Sequence, residues 1–175
     1  MKTNTKWMSL SWMFLALALG GCAGDGDEVD PVGEPPGDRF ELRLLGQDAE
    51  LYEKVLLGVG RVEVTTKGVA VPFRYSPAAR SMDLARTDHA YLLGSFYLPP
   101  DAQEADIRVL FDDMGAFREP GATGLINARS GSIGFKTPRC ELEKRNHVVI
   151  QLHLKDSLFQ ARGARVLLPS TFVVH

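Results

Sequence analysis

The sequence predicts an all-β domain, an antiparallel β-sandwich, placed behind an export signal and a flexible tether. Three observations predict it. Apolar and polar residues alternate with period two in about eight short runs. Turn-forming residues separate those runs, and no stretch longer than about ten residues carries a helical stripe.

The chain has 175 residues, of which 45% are hydrophobic and 24% charged. That composition is ordinary for a globular domain and excludes wholesale disorder, a collagen-like chain and a polytopic membrane protein. At the N-terminus, Lys2 and Lys6 flank the start of an apolar run over residues 7–19, which ends in Leu19-Gly20-Gly21-Cys22. Basic, apolar and small residues in that order form the layout of a secretory signal peptide. The run falls short of the ~20 residues a spanning helix needs.

Leu19-Gly20-Gly21-Cys22 resembles the bacterial lipobox. The resemblance implies that residues 1–21 are removed and that Cys22 becomes a lipid-bearing first residue with an acylated amine. Small residues before the cut let a protease approach the backbone, and a thiol is the nucleophile that lipid transfer needs. Several acyl chains, at about 0.8 kcal/mol per buried CH₂, hold a protein to a membrane far more firmly than one. Ala23 follows the cysteine where a number of lipoproteins kept at the inner membrane carry Asp, so the analogy favours the outer membrane.

Residues 22–38 are Gly, Asp, Glu, Pro, Val and Ala with nothing large to bury, which predicts a flexible acidic tether. Fully extended it reaches roughly 55 Å. The domain proper spans 39–175. Of 20 Lys and Arg, two lie in the leader, and of 22 Asp and Glu, six lie in 25–38. The domain therefore holds eighteen bases and sixteen acids, spread along the chain. A nucleic-acid footprint is a clustered basic stripe with aromatic platforms, and this pattern excludes it.

In the domain, Phe40, Leu42 and Leu44 alternate with Glu41 and Arg43. Residues 48–57 are the best helical candidate, although Val55-Leu56-Leu57 equally begins a strand. Val62 and Val64 then alternate with Arg61 and Glu63 behind Gly58 and Gly60, which suggest a bulge or bend. Val69, Val71 and Phe73 follow across a Lys67-Gly68 turn, making a hairpin whose Pro72 strand belongs at an edge. Residues 91–98, 107–111, 132–136 and 148–154 continue the series, and 166–168 with 171–174 close it. Turns are expected at Ser76-Pro77, Pro99-Pro100-Asp101, Asp112-Asp113-Met114-Gly115, Pro120-Gly121 and Pro138.

A second resemblance rests on the segments LLGVGRVEVTT (56–66), Met82-Asp83-Leu84, Leu92-Leu93-Gly94-Ser95-Phe96, Leu98-Pro99, Ile107-Arg108-Val109 and LHLKDSL (152–158). Together they are similar to an uncharacterised family of bacterial lipoprotein domains. The resemblance implies a transthyretin-like or immunoglobulin-like sandwich in the cell envelope, and implies no activity. The chain departs from the family at Asp101-Ala102-Gln103-Glu104, where Gly-x-Tyr is usual, and at His153, where Asp is common.

Chemistry-bearing residues are sparse. With Cys22 assigned to lipid, Cys140 is alone and no intramolecular disulfide is expected. It is either a reactive thiol or an incidental one. Ser132 in Ser130-Gly131-Ser132-Ile133-Gly134 lacks the first glycine of a nucleophile elbow. His147 and His153 share a strand face but stand about 20 Å apart, too far to share a zinc ion. Asp112 and Asp113 offer hard oxygen ligands for a metal, calcium, without matching a calcium-loop pattern.

No cofactor is implied and no enzyme is expected. Two functions remain. One is a protein-interaction or scaffolding module, bound to the membrane through lipid on Cys22 and partnered by another envelope protein. The other is a glycan or small-molecule binding module, calcium-dependent through Asp112 and Asp113, using Tyr91, Tyr97 and Phe117.

Overall fold

The computed structural model describes residues 36–161 and 163–175. The expected signal peptide, Cys22 and nearly all of the tether lie outside the described residues. The expected all-β sandwich is the fold. In chain order the elements are β1 (Asp38–Gln47), β2 (Lys54–Leu57), β3 (Val59–Thr66), β4 (Val69–Val71), β5 (Phe73–Tyr75), β6 (Met82–Asp83), β7 (Tyr91–Leu98) and β8 (Glu104–Phe111). There follow β9 (Met114–Glu119), β10 (Ala122–Asn127), β11 (Ser132–Pro138), α1 (Arg139–Arg145), β12 (His147–His153), α2 (Leu154–Ser157), β13 (Leu158–Ala161), β14 (Ala164–Leu167) and β15 (Thr171–Val174).

Three sheets enclose one core. The first has the order β15-β12-β1-β7-β5, the second β13-β14-β10-β9-β2-β6, and the third β11-β8-β3-β4. Most pairs are antiparallel, as expected, but β1 runs parallel to β12 and β10 parallel to β14. Parallel neighbours need a long connection, and a hundred-residue return from β1 to β12 leaves no local signal in the sequence.

The alternation read from β1 is the alternation observed. Phe40, Leu42 and Leu44 are wholly buried and face inward beside Val148, Ile150 and Leu152 of β12. Each such side chain contributes roughly 1.5–3 kcal/mol by leaving water. From the third sheet, Val62, Val64, Ile107, Val109 and Ile133 join the same cluster. The β3–β4 hairpin turns at Lys67 (φ +50°) and Gly68 (φ +78°), where the expected turn stood.

Pro72 falls between β4, an edge of the third sheet, and β5, an edge of the first. A proline has no N–H to give a ladder, so the chain leaves one sheet and joins another there.

Two expectations change. Residues 48–57 form a turn and then β2, the strand alternative at Val55-Leu56-Leu57 and not the helix, and the only helix of more than one turn among the described residues is α1. Its anchor is the single buried Leu142, and it ends at Asn146, whose left-handed backbone (φ +57°) donates its N–H to the Leu142 carbonyl. The second change is a hairpin, β9–β10: Met114 and Gly115, expected in a turn, begin β9, and the expected Pro120-Gly121 turn joins β9 to β10. No helix among the described residues is long and apolar enough to cross a membrane.

Candidate functional site

The unassigned hairpin builds the most distinctive surface. β9 lies between β2 and β10, and register pairs Lys54 with Arg118, Leu56 with Ala116, Ala116 with Leu125, and Arg118 with Thr123. Those six side chains share the outer face by the period-two rule. Val55, Leu57 and Ile126 point inward and are buried. A small residue, Ala116, between Leu56 and Leu125 leaves a hollow of about 370 Å³, with Phe117 and Gly124 completing its wall.

The floor is apolar and wet. Leu125 is 60% exposed and Met114, at the end of the same strand pair, 53%. A solvated sheet face normally carries polar residues there, so the exposed leucine and methionine set this face apart from an ordinary solvated one. At the rim, Lys54 and Arg118 stand directly opposite each other, and neither makes an ion pair among the described residues. Like charges directly opposed across strands destabilise a sheet.

The underside is firmly held. Arg165 of β14 pairs with Glu119 of β9, both mostly buried, and its guanidinium lies 5.5 Å from the Phe117 ring and 5.9 Å from that of Tyr52. The Phe117 ring covers Gly124, where a Cβ would come within 2.7 Å of it. On the far side, Asp83 Oδ1 accepts the Val55 N–H at 3.0 Å and the Ala85 N–H at 3.4 Å, and the Leu84 N–H reaches the Val55 carbonyl. The hollow is thus carried by a rigid sheet and not by loops.

The residues singled out in the sequence are scattered. Asp113 accepts both Nε and Nη2 of Arg129 on one oxygen, at 3.2 and 2.9 Å. Asp112 instead lays its carboxylate over Gly58 and Gly60. Among the described residues no three His, Cys, Asp or Glu side chains come together as a metal site.

Tyr91 donates its hydroxyl to the Asp83 carbonyl, Tyr97 is buried beneath Arg74, and both belong to the first sheet, whereas Phe117 belongs to the second. The three aromatics do not form one platform.

Ser132 opens β11, and no histidine side chain bonds a serine hydroxyl among the described residues. His147 pairs with the Arg145 carbonyl, His153 with Asp48, and His175 with Thr137. His147 and His153 do share the outward face of β12. Cys140 is exposed on α1 and free.

The unit formed by Leu56, Ala116, Arg118 and Leu125 is not marked by the sequence patterning. Its one available signal was Leu125-Ile126, two adjacent large apolar residues that no single-faced strand explains. Compared with known proteins, the chain matches no family model, no curated protein and no solved structure.

Proposed function

We propose that this domain is a non-enzymatic protein-interaction module of an envelope lipoprotein, exported and held to the membrane, the outer one by analogy, through lipid on Cys22. The observation that carries the reading is the outer face of β2, β9 and β10: an apolar floor of Leu56, Ala116 and Leu125 under two unpaired cations, Lys54 and Arg118. Its partner is another envelope protein that presents apolar side chains flanked by carboxylates. Acidic groups relieve the opposed charges, while burial of the leucines supplies affinity.

The lipobox resemblance and the acidic segment before the domain support the anchor. The dispersal of Ser132 and the histidines supports a role without catalysis. A photo-crosslinking residue placed at position 125 of the full chain in cells tests the partner. A discrete protein adduct is expected from position 125 and not from position 168, another half-exposed leucine elsewhere. Arg118→Glu removes that adduct if the proposal holds; an adduct that survives the reversal, or none from position 125, overturns it.

A small-molecule reading keeps one supporting observation, since the hollow has the size of a ligand pocket. Its calcium-dependent form, through Asp112 and Asp113, requires displacing Arg129 from Asp113.

A further inference from the structure

The outer face of the first sheet carries a second hollow, of opposite character. Arg39, Glu41 and Arg43 alternate along β1 on one face, and the parallel register sets Glu41 beside His147. The end of α1 brings Arg145 and Asn146 to the same place, and these six residues line an open hollow of about 340 Å³.

Glu41 is the sole acid in that lining. It accepts Arg43 Nε and Nη2 at 3.2 and 2.8 Å and lies 3.7 Å from Arg39. One carboxylate shared by two guanidiniums, each with five N–H donors, leaves most of those donors free. Arg145 makes no side-chain hydrogen bond or ion pair among the described residues. Its carbonyl instead accepts the Nδ1–H of His147 at 2.9 Å, which orients that ring at the hollow's edge. Three guanidiniums against one carboxylate give the hollow a formal charge of +2 with His147 neutral.

We propose that this hollow binds a phosphate group, as a mono- or diester. Glu41 already supplies a planar carboxylate to Arg39 and Arg43 and holds them side by side. What the three forks lack is an anion with an oxygen for each, which a tetrahedral phosphate supplies and a single carboxylate does not. Two sources share that chemistry. Arg39 stands immediately after the 22–38 segment, so with lipid on Cys22 a phospholipid headgroup is within reach of the tether. A soluble phosphate ester meets the same donors.

The full chain is studied in discs of an uncharged galactolipid, which carries no phosphate, reading the arginine Nε–H signals by NMR, first with added inorganic phosphate and glycerol phosphate, then in the same discs containing phosphatidylglycerol. The signals of Arg39, Arg43 and Arg145 are expected to move while those of Arg61 and Arg129 stay. Movement with the soluble anions assigns a free ester, and movement only in the anionic discs assigns a headgroup.

Arg145→Gln weakens the response about fivefold, and Glu41→Gln, which removes the competing carboxylate, strengthens it. The proposal is overturned if neither the soluble anions nor the phosphatidylglycerol discs move the three signals, or if Arg61 and Arg129 move with them. It also fails if Lys136→Gln, a charge loss elsewhere, weakens the response as much as Arg145→Gln.

Discussion

The hydroxyl of Tyr75 accepts the backbone N–H of Val62 at 2.8 Å and lies 3.4 Å from the carbonyl of the same residue. Val62 sits in β3 where β4 has already ended, so that strand edge has no ladder partner. One phenol from β5 takes the place of a strand and ties the first sheet to the third. Tyr75→Phe keeps the ring, which packs edge-on against Phe73 at 5.0 Å, and removes only the bridge. A loss of about 1 kcal/mol is expected in urea denaturation; an unchanged midpoint means water replaces the hydroxyl at no cost.

Arg139 performs a larger version of that service. At the start of α1 its guanidinium donates to the carbonyls of Leu98, Pro99 and Ala102 and to the carboxylates of Asp38 and Glu143, with only 12% of the side chain exposed. Burial by itself lowers the pKa of the group, yet the bonds to Asp38 and Glu143 hold it above its ordinary value. The Leu98-Pro99 turn is therefore closed by a side chain about forty residues away. Arg139→Lys offers three donors in place of five and leaves carbonyls unpaired. It should destabilise by about 2 kcal/mol, nearly as much as Arg139→Ala, and a small loss for Lys alone would show that charge and not the fork matters.

The legible parts of the fold are those where one face is wet and one dry. β1, β3, β8 and β12 show readable alternation because most of their outer residues are polar, Leu45, Leu110 and Val149 excepted, and Lys67-Gly68 and Pro72 mark their positions by backbone chemistry alone. β9 and β10 were hidden because Met114, Ala116 and Leu125 are apolar on the outer face, while Gly115 and Gly124 are blank on the inner one. The property that concealed the hairpin is the one that makes it the candidate site. α1 escaped for a different reason: one buried leucine makes no stripe, and the helix is secured by Arg139 bonds to distant turns. The basic hollow needed the parallel pairing of β1 with β12, which no local pattern encodes.

Two strand glycines should respond oppositely to alanine. A Cβ at Gly46 would stand 1.8 Å from the Leu84 carbonyl oxygen, a backbone atom that cannot move without shifting the segment Asp83 anchors. At Gly134 nothing lies within 4 Å. Gly46→Ala is expected to cost about 3 kcal/mol or prevent folding, whereas Gly134→Ala is neutral or gains about 0.5 kcal/mol by restricting the unfolded chain. Equal melting temperatures for the two would refute the close approach at Gly46.

Tyr52 makes the fold sensitive to alkali. Burial raises its phenol above the ordinary value, Arg165 pulls it partly back, and Glu119 adds to the rise. A phenol that ionises less readily folded than unfolded lends stability that is complete below the unfolded value of about 10 and is lost as pH climbs through the higher folded value. Denaturation midpoints should fall above about pH 10, and Tyr52→Phe should flatten that decline relative to the parent. Identical slopes for the two would exclude Tyr52 as the cause.

Lys54 and Arg118 set stability against binding. Directly opposed across β2 and β9, they repel each other beside an apolar floor that excludes part of their solvent. Lys54→Glu turns the repulsion into a cross-strand pair, which is expected to raise the stability of the free domain by about 0.5–1 kcal/mol. The same change places a carboxylate where the partner's carboxylates are to dock, so the crosslink from position 125 should disappear as the domain becomes harder to unfold. Gain in one measurement with loss in the other is the mark of a site retained against the interest of the fold. If Lys54→Glu stabilises the domain and leaves the adduct intact, the cations belong to the sheet alone. If it destabilises, the Lys54–Arg118 repulsion does not weigh on the fold.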